Sequence, residues 1–201
     1  SSHRLADALY DAPSAGSHNA PKSSRNALNE DCAALPETPA VKLSRQKHSA
    51  AVRAHVEKYI GAPQPLFSAD DTFTPSSEYS NIEILHVAPT PSRPFHTLVT
   101  CGMGDRPMSA PGEEIRYAEL VVTLPADWPI SELDDFDGDY NWPLQWLQIL
   151  AQLPHEHDTW LGRGHTVPNG EPAEAFAENT EQCCMILLPP LSIAREFRHL
   201  Q

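Results

Sequence analysis

The sequence predicts an α+β fold, a mixed or antiparallel sheet covered by helices within a single domain. Three observations lead there. Three apolar extended segments follow one another between residues 82 and 124, each bounded by proline or glycine. Residues 44 to 61 and 144 to 153 instead repeat apolar side chains at helical spacing. Proline makes up 20 of the 201 residues, roughly twice its usual share, which shortens regular elements and favours connections.

Each element has its own signal. Residues 1 to 43 are rich in Ala, Ser, Asn and Pro, with no sustained apolar period beyond a short turn near Leu5 to Tyr10. They are expected to form a flexible tail, leaving 44 to 201 as the domain. Ser44 suits a helix N-cap, Val52, Val56, Tyr59 and Ile60 share one helical face, and Gly61 stands where helices stop. Pro63 and Pro65 end that helix, and residues 68 to 80 read as a polar loop. Ile82-Glu83-Ile84-Leu85-His86-Val87, Phe95-His96-Thr97-Leu98-Val99-Thr100 and residues 115 to 124 are predicted strands, antiparallel neighbours in one sheet. In the third, Ala118, Leu120, Val122 and Leu124 alternate with Ile115, Tyr117 and Val121, so both faces are apolar. Such a strand is expected inside the sheet, covered on each side. Pro143 fits the first turn of a helix carrying Leu147, Leu150 and Leu153, the expected cover. His165-Thr166-Val167 and residues 185 to 188 read as two further strands, separated by the Pro168-Asn169-Gly170 turn.

Charge narrows the function. The formal net charge is −13, from 14 basic and 27 acidic residues. Residues 1 to 60 carry eight basic and six acidic groups, whereas 61 to 201 carry six and 21. From Tyr117 to Gly162 there is no Lys or Arg against nine acids. A phosphate polyanion meets repulsion there, which argues against nucleic acid, while a basic protein would be steered in. No run approaches 18 apolar residues, so no membrane span is expected.

Cys32, Cys101, Cys183 and Cys184 are too dispersed for a secreted disulfide framework and form no C-x-x-C pair. Cys183 and Cys184, in the run Cys-Cys-Met-Ile-Leu-Leu, are expected to be buried thiols. A cytoplasmic location is expected, and no signal-peptide pattern opens the chain. The first residue is Ser1 and the first methionine is Met103, so the chain is expected to be processed at its start or to be a fragment.

Catalytic patterns are weak. His155, His157, Asp158 and His165 gather within eleven residues and suggest a metal-dependent hydrolase as the rival reading, but no H-E-x-x-H and no nearby Cys accompanies them. Asp134-Asp135-Phe136-Asp137-Gly138-Asp139 is acidic enough for calcium. The register fails, because a hand-type loop from Asp135 would place Tyr140 at its glycine position and Trp146 at its bidentate Glu. There is no G-x-S-x-G elbow, and Gly102-Met103-Gly104 lacks the spacing of a phosphate loop. No catalytic residue, cofactor or metal is therefore expected.

Several ordered blocks resemble the suppressor of fused domain. The first runs from His86-Val87-Ala88-Pro89-Thr90 through Pro94-Phe95-His96-Thr97-Leu98-Val99-Thr100-Cys101-Gly102-Met103 to Arg106-Pro107-Met108. The second is Tyr117-Ala118-Glu119-Leu120 with Leu124-Pro125-Ala126-Asp127-Trp128. Trp142-Pro143-Leu144, Asp158-Thr159-Trp160-Leu161 and Gly164-His165-Thr166 form the third. Phe176-Ala177-Glu178-Asn179-Thr180 with residues 187 to 190 resembles the bacterial single-domain branch. Family members usually continue past the position of Leu200, so the C-terminus is expected to be incomplete or the core to close differently.

The resemblance implies a non-enzymatic protein-binding domain. Its animal members hold a transcription factor by clamping an extended peptide, and its bacterial single-domain forms are proposed immunity proteins that neutralise toxins, commonly nucleases. The expected partner is thus a basic toxin domain, with sequestration of a transcription factor as an alternative. Asp134, Asp135, Asp137 and Asp139 are the expected contacts, with Trp146 as an aromatic anchor because it lies off the Leu147/Leu150 stripe. The motif residues Thr100, Gly102, Met103, Tyr117, Glu119, Leu120, Pro125, Trp128, Trp142, Pro143, Gly164 and His165 are expected mainly to keep the shared fold.

Overall fold

A computed structural model describes residues 39–67, 82–130 and 139–200. Residues 1–38, 68–81, 131–138 and 201 lie outside the described residues, and with them most of the expected tail, the polar loop expected at 68–80 and most of the acidic run. Helix α1 spans Pro39–Tyr59, followed by strands β1 (Gln64–Phe67), β2 (Glu83–Val87), β3 (Phe95–Cys101) and β4 (Val121–Pro125). Helix α2 spans Trp142–Glu156, and β5 (Thr166–Pro168) and β6 (Cys184–Ile186) come last. The fold is α+β. Among the described residues no helix is long and apolar enough to cross a membrane.

The four long-range strands form one antiparallel sheet in the order β1-β2-β3-β4. Strand periodicity sends alternate side chains to opposite faces, and here both faces are covered. Leu85, Val87, Val99 and Cys101 meet Val52 and Val56 of α1 on one side. Ile84, Leu98 and Leu124 meet Leu144 and Leu147 of α2 on the other. The flank of α2 turned away from the sheet carries Trp146, Leu150, Ala151 and Leu153 into a third cluster with Met103, Met108, Leu161 and Val167. Helix α2 is consequently apolar on two sides, packed between the sheet and the small β5–β6 ribbon.

Local departures from expectation have physical causes. Helix α1 starts at Pro39 rather than Ser44, so residues 39–43 belong to it and not to the tail, with proline at the first helical position. Its end is held by Gly61, whose N–H reaches the Val56 carbonyl at 3.1 Å with φ at 146°. Strand β1 was not anticipated, because Pro63 and Pro65 read as breakers. Proline costs a sheet little at an edge, and β1 is an edge strand in which Pro65 faces Leu85.

The third predicted strand is the larger correction. Only Val121–Pro125 is strand, residues 113–115 form a turn of 3₁₀ helix, and β4 is an edge rather than an interior strand among the described residues. Residues 116–120 leave the ladder because Thr100 and Glu119 use side chains there. Leu120 N–H donates to Thr100 Oγ1 at 2.7 Å, and Thr100 N–H donates to the Leu120 carbonyl at 3.0 Å. Strands β5 and β6 do pair, but across a long excursion held by Asn169, whose Nδ2 donates to the carbonyls of Glu174 and Ala175.

The cysteines also differ from expectation. Cys101 is buried, but Cys183 is half-buried and Cys184 exposed, and all three are free thiols. The apolar run is open because β6 pairs with β5 alone, leaving Ile186 57% and Leu188 58% exposed.

Leu98 is fully buried at the centre of β3. Leu98→Ala is expected to lower unfolding free energy by about 3 kcal/mol, a typical cost for a core leucine truncated to alanine, measured by urea denaturation with an unchanged m-value.

Candidate functional site

The polar centre of the domain is the carboxylate of Glu119. The turn after β3 brings Gly102 and Gly104 beneath it, and both backbone N–H groups donate to Oε1 at 3.0 Å. Thr100 Oγ1 donates to Oε2 at 2.6 Å, and His48 Nε2 of α1 donates to Oε1 at 3.2 Å. Gly102 has φ at 123°, which a side chain disfavours. A Cβ on Gly104 would stand 3.0 Å from His48 Nε2 and 3.3 Å from Glu119 Oε1. These two glycines therefore permit the carboxylate to sit directly on the backbone.

Around this knot the electrostatics are local. The hydrogen bond to Glu119 raises the His48 pKa, against the opposing effect of burial, with the charges of Glu119 and Asp105 adding to the rise. Burial also raises the carboxyl of Asp105, although His48 and Arg45 oppose it, the latter 3.7 Å away. The Cys101 thiol is pushed up to about 12, first by burial and then by the Glu119 charge. Arg53 and Glu83 form a second ionic contact between α1 and the sheet.

A groove of about 450 Å³ opens above Glu119. One wall is α1, through His48, Val52, His55 and Val56, and the other is the chain at residues 187–190 and 197–200. Phe197 secures that second wall: its carbonyl accepts from His55 Nε2 at 2.9 Å and its ring lies 5.1 Å from the His55 ring. A neighbouring cleft of about 340 Å³ continues between residues 119–123 and residues 185–188. Thus the edge of β4 that lacks a strand partner among the described residues faces open space rather than packed side chains. Exposed Tyr117 and Leu188 stand at the rim, at 56% and 58%.

The sequence-predicted residues are distributed unevenly around this site. Thr100, Gly102, Met103 and Glu119 meet in the knot, with Met103 buried beneath it. Tyr117 and Leu120 line the groove. Pro125 closes β4, and Trp128 donates from Nε1 to the Tyr140 carbonyl at 3.2 Å while meeting Trp142 edge to face. Pro143 sits in the first turn of α2, Gly164 takes φ at 87°, and the His165 ring lies 4.3 Å from Trp160.

Of the expected contact residues, Asp139 is described beside Tyr140, whereas Asp134, Asp135 and Asp137 lie outside the described residues. Trp146 is not at the surface. It is 4% exposed, and its ring lies 4.7 Å from that of Phe176, because the residue 169–183 excursion covers the flank of α2 that its own periodicity left open. The histidines of the metal reading do not converge: His155 contacts the Met103 carbonyl and His165 packs on Trp160. Among the described residues no group of three or more His, Cys, Asp or Glu is arranged to hold a metal ion.

His48, His55 and Phe197, which shape the groove, were not singled out from sequence. Nothing in their spacing links them, since 71 residues separate His48 from Glu119 and 142 separate His55 from Phe197.

Two outcomes test this arrangement. Glu119→Gln removes the charge and, with its amide oxygen kept on the Gly102 and Gly104 N–H groups, turns its NH₂ toward the Thr100 hydroxyl that donates to Oε2, so a loss of about 2 kcal/mol in unfolding free energy is expected by urea denaturation. Native protein at pH 8 should react with a thiol reagent at Cys184 while Cys101 reacts only after unfolding, as peptide mapping of the labelled protein will show.

No curated protein and no solved structure matches the chain. The family model described as Suppressor of fused protein (SUFU) matches residues 78–201, a span that holds Glu119 with its Thr100, Gly102 and Gly104 donors, β2 through β6 and the smaller cleft, while His48 and the α1 wall of the groove precede it. With that match over more than half its length, the chain belongs to the suppressor of fused family, a family of protein-binding domains.

Proposed function

We propose that this domain binds and masks a basic partner protein, in the manner of an immunity protein that neutralises a nuclease toxin, without chemistry of its own. The observation that carries the reading is the pair of clefts along the edge of β4 that has no strand partner among the described residues. A strand edge offers backbone donors and acceptors to an extended segment, and apolar walls offer side-chain pockets beside it. Tyr117 and Leu188, exposed at the rim, replace the buried Trp146 as aromatic and aliphatic anchors.

Charge supplies the sign of the partner. Residues 61 to 201 carry 21 acidic against six basic groups, and a nuclease presents a basic surface suited to phosphate. Asp134, Asp135, Asp137 and Asp139 form the acidic segment of this reading, directly before α2. Complementary potentials of this kind raise association rates and fix partner choice.

The test asks whether a neighbouring reading frame encodes a basic nuclease domain and, with such a domain purified, measures its binding to the full chain by calorimetry at several salt concentrations. Replacing the four aspartates by Asn is expected to weaken binding by roughly 10- to 100-fold at low salt, as summed exposed charge pairs allow, and to flatten the salt dependence. Unchanged low-salt affinity would overturn the masking role, and persistent nuclease activity in the saturated wild-type complex would overturn neutralisation.

A further inference from the structure

The α1 wall of the groove is held to the rest of the domain by apolar packing and by polar contacts that join Arg45 to Asp105, Arg53 to Glu83, His55 to the Phe197 carbonyl and His48 to Glu119. Val52 and Val56 pack into the sheet's hydrophobic cluster and do not respond to pH. One turn earlier, His48 reaches across to Glu119, itself fixed by Gly102, Gly104 and Thr100. The His48 side chain is 24% exposed and that of Glu119 14%, so the pair is partly shielded yet can exchange protons with water. Because Glu119 is anchored on the other side by backbone, any change in the pair must be absorbed by α1.

We propose that His48 is a pH-responsive catch that fixes the α1 wall of the binding groove in mildly acidic conditions and loosens it in alkaline ones. This regulation rests on the reading of the groove as the binding surface. The two charges that act on His48, those of Glu119 and Asp105, both favour that sense. Glu119 contacts it from the segment before β4, and Asp105 faces it from the turn after β3. Arg45, on α1 itself, and Arg106 act on Asp105 and favour its ionised form. Arg163 and His199 line the same groove from the opposite side, and His155 feels Glu119 from the end of α2.

The sign follows from linkage. The folded-state pKa of His48 lies above the ordinary 6.5, so its contribution is fully present below about pH 6.5. It is lost as pH rises through the folded value. Deprotonation removes the imidazolium charge but leaves an Nε2–H able to hydrogen-bond, so the wall loosens rather than detaches. A looser wall changes the groove without unfolding the sheet.

Hydrogen exchange of the free full-length chain at pH 6.0 and pH 8.5, corrected for intrinsic rates, reads this directly. Protection of amides 44–51 is expected to fall about threefold to fivefold at the higher pH, the size of a partly exposed charged pair, with β3 amides as an unchanged reference. In His48→Gln, which keeps a donor but cannot titrate, protection of 44–51 should be the same at both pH values. Equal protection in the wild type, or an equal fall in His48→Gln, would overturn the catch. No partner enters the measurement, so its failure leaves the protein-binding reading standing, and failure of the aspartate substitutions leaves the catch standing.

Discussion

The burial of one carboxylate organises this domain. Glu119 sits where β3, the glycine turn, α1 and the approach to β4 come together, and it is tolerated there because four donors converge on it. A partly buried charge without such partners would cost several kcal/mol. Each donor in turn constrains something else. Thr100 gives up its hydroxyl to the carboxylate while accepting from Leu120 N–H, which sets the point at which β4 begins. Gly104 admits His48 at close range, which sets how near α1 approaches.

Hydrophobic packing then acts on geometry already narrowed by that knot. The sheet is covered by α1 on one face and by α2 on the other, and α2 is buried a second time against the β5–β6 ribbon. Among the described residues the outer edge of β4 has no strand partner, and the groove and the cleft both open beside Glu119 at its start. An apolar edge left open in this way is a liability for a solitary protein and an asset for one that binds an extended segment. The acidic surplus of the chain lowers the risk of self-association, because copies of it repel one another.

Much of the architecture was legible as local pattern. The alternation through Ile84 to Val87 and Phe95 to Thr100 marks two strands whatever surrounds them, because it is the only arrangement that buries those side chains on defined faces. Val52 and Val56 mark the buried stripe of α1 in the same way. Pattern was misleading where a side chain competes with the backbone. Tyr117 to Leu120 alternate like a strand, yet Thr100 and Glu119 draw that segment out of the ladder. It was misleading again at Trp146, whose position off one apolar stripe meant exposure only if α2 packed on a single side.

The sequence alone determined the kinds of element, the shared motif blocks and the sign of the charge, since these depend on residue type and near neighbours. Only the tertiary structure decided that β4 is an edge, that Cys184 and Leu188 are exposed while Trp146 is not, and that His48 meets Glu119. Those outcomes depend on which distant surfaces cover one another, and coverage is settled by competition for burial across the whole chain rather than by any local period.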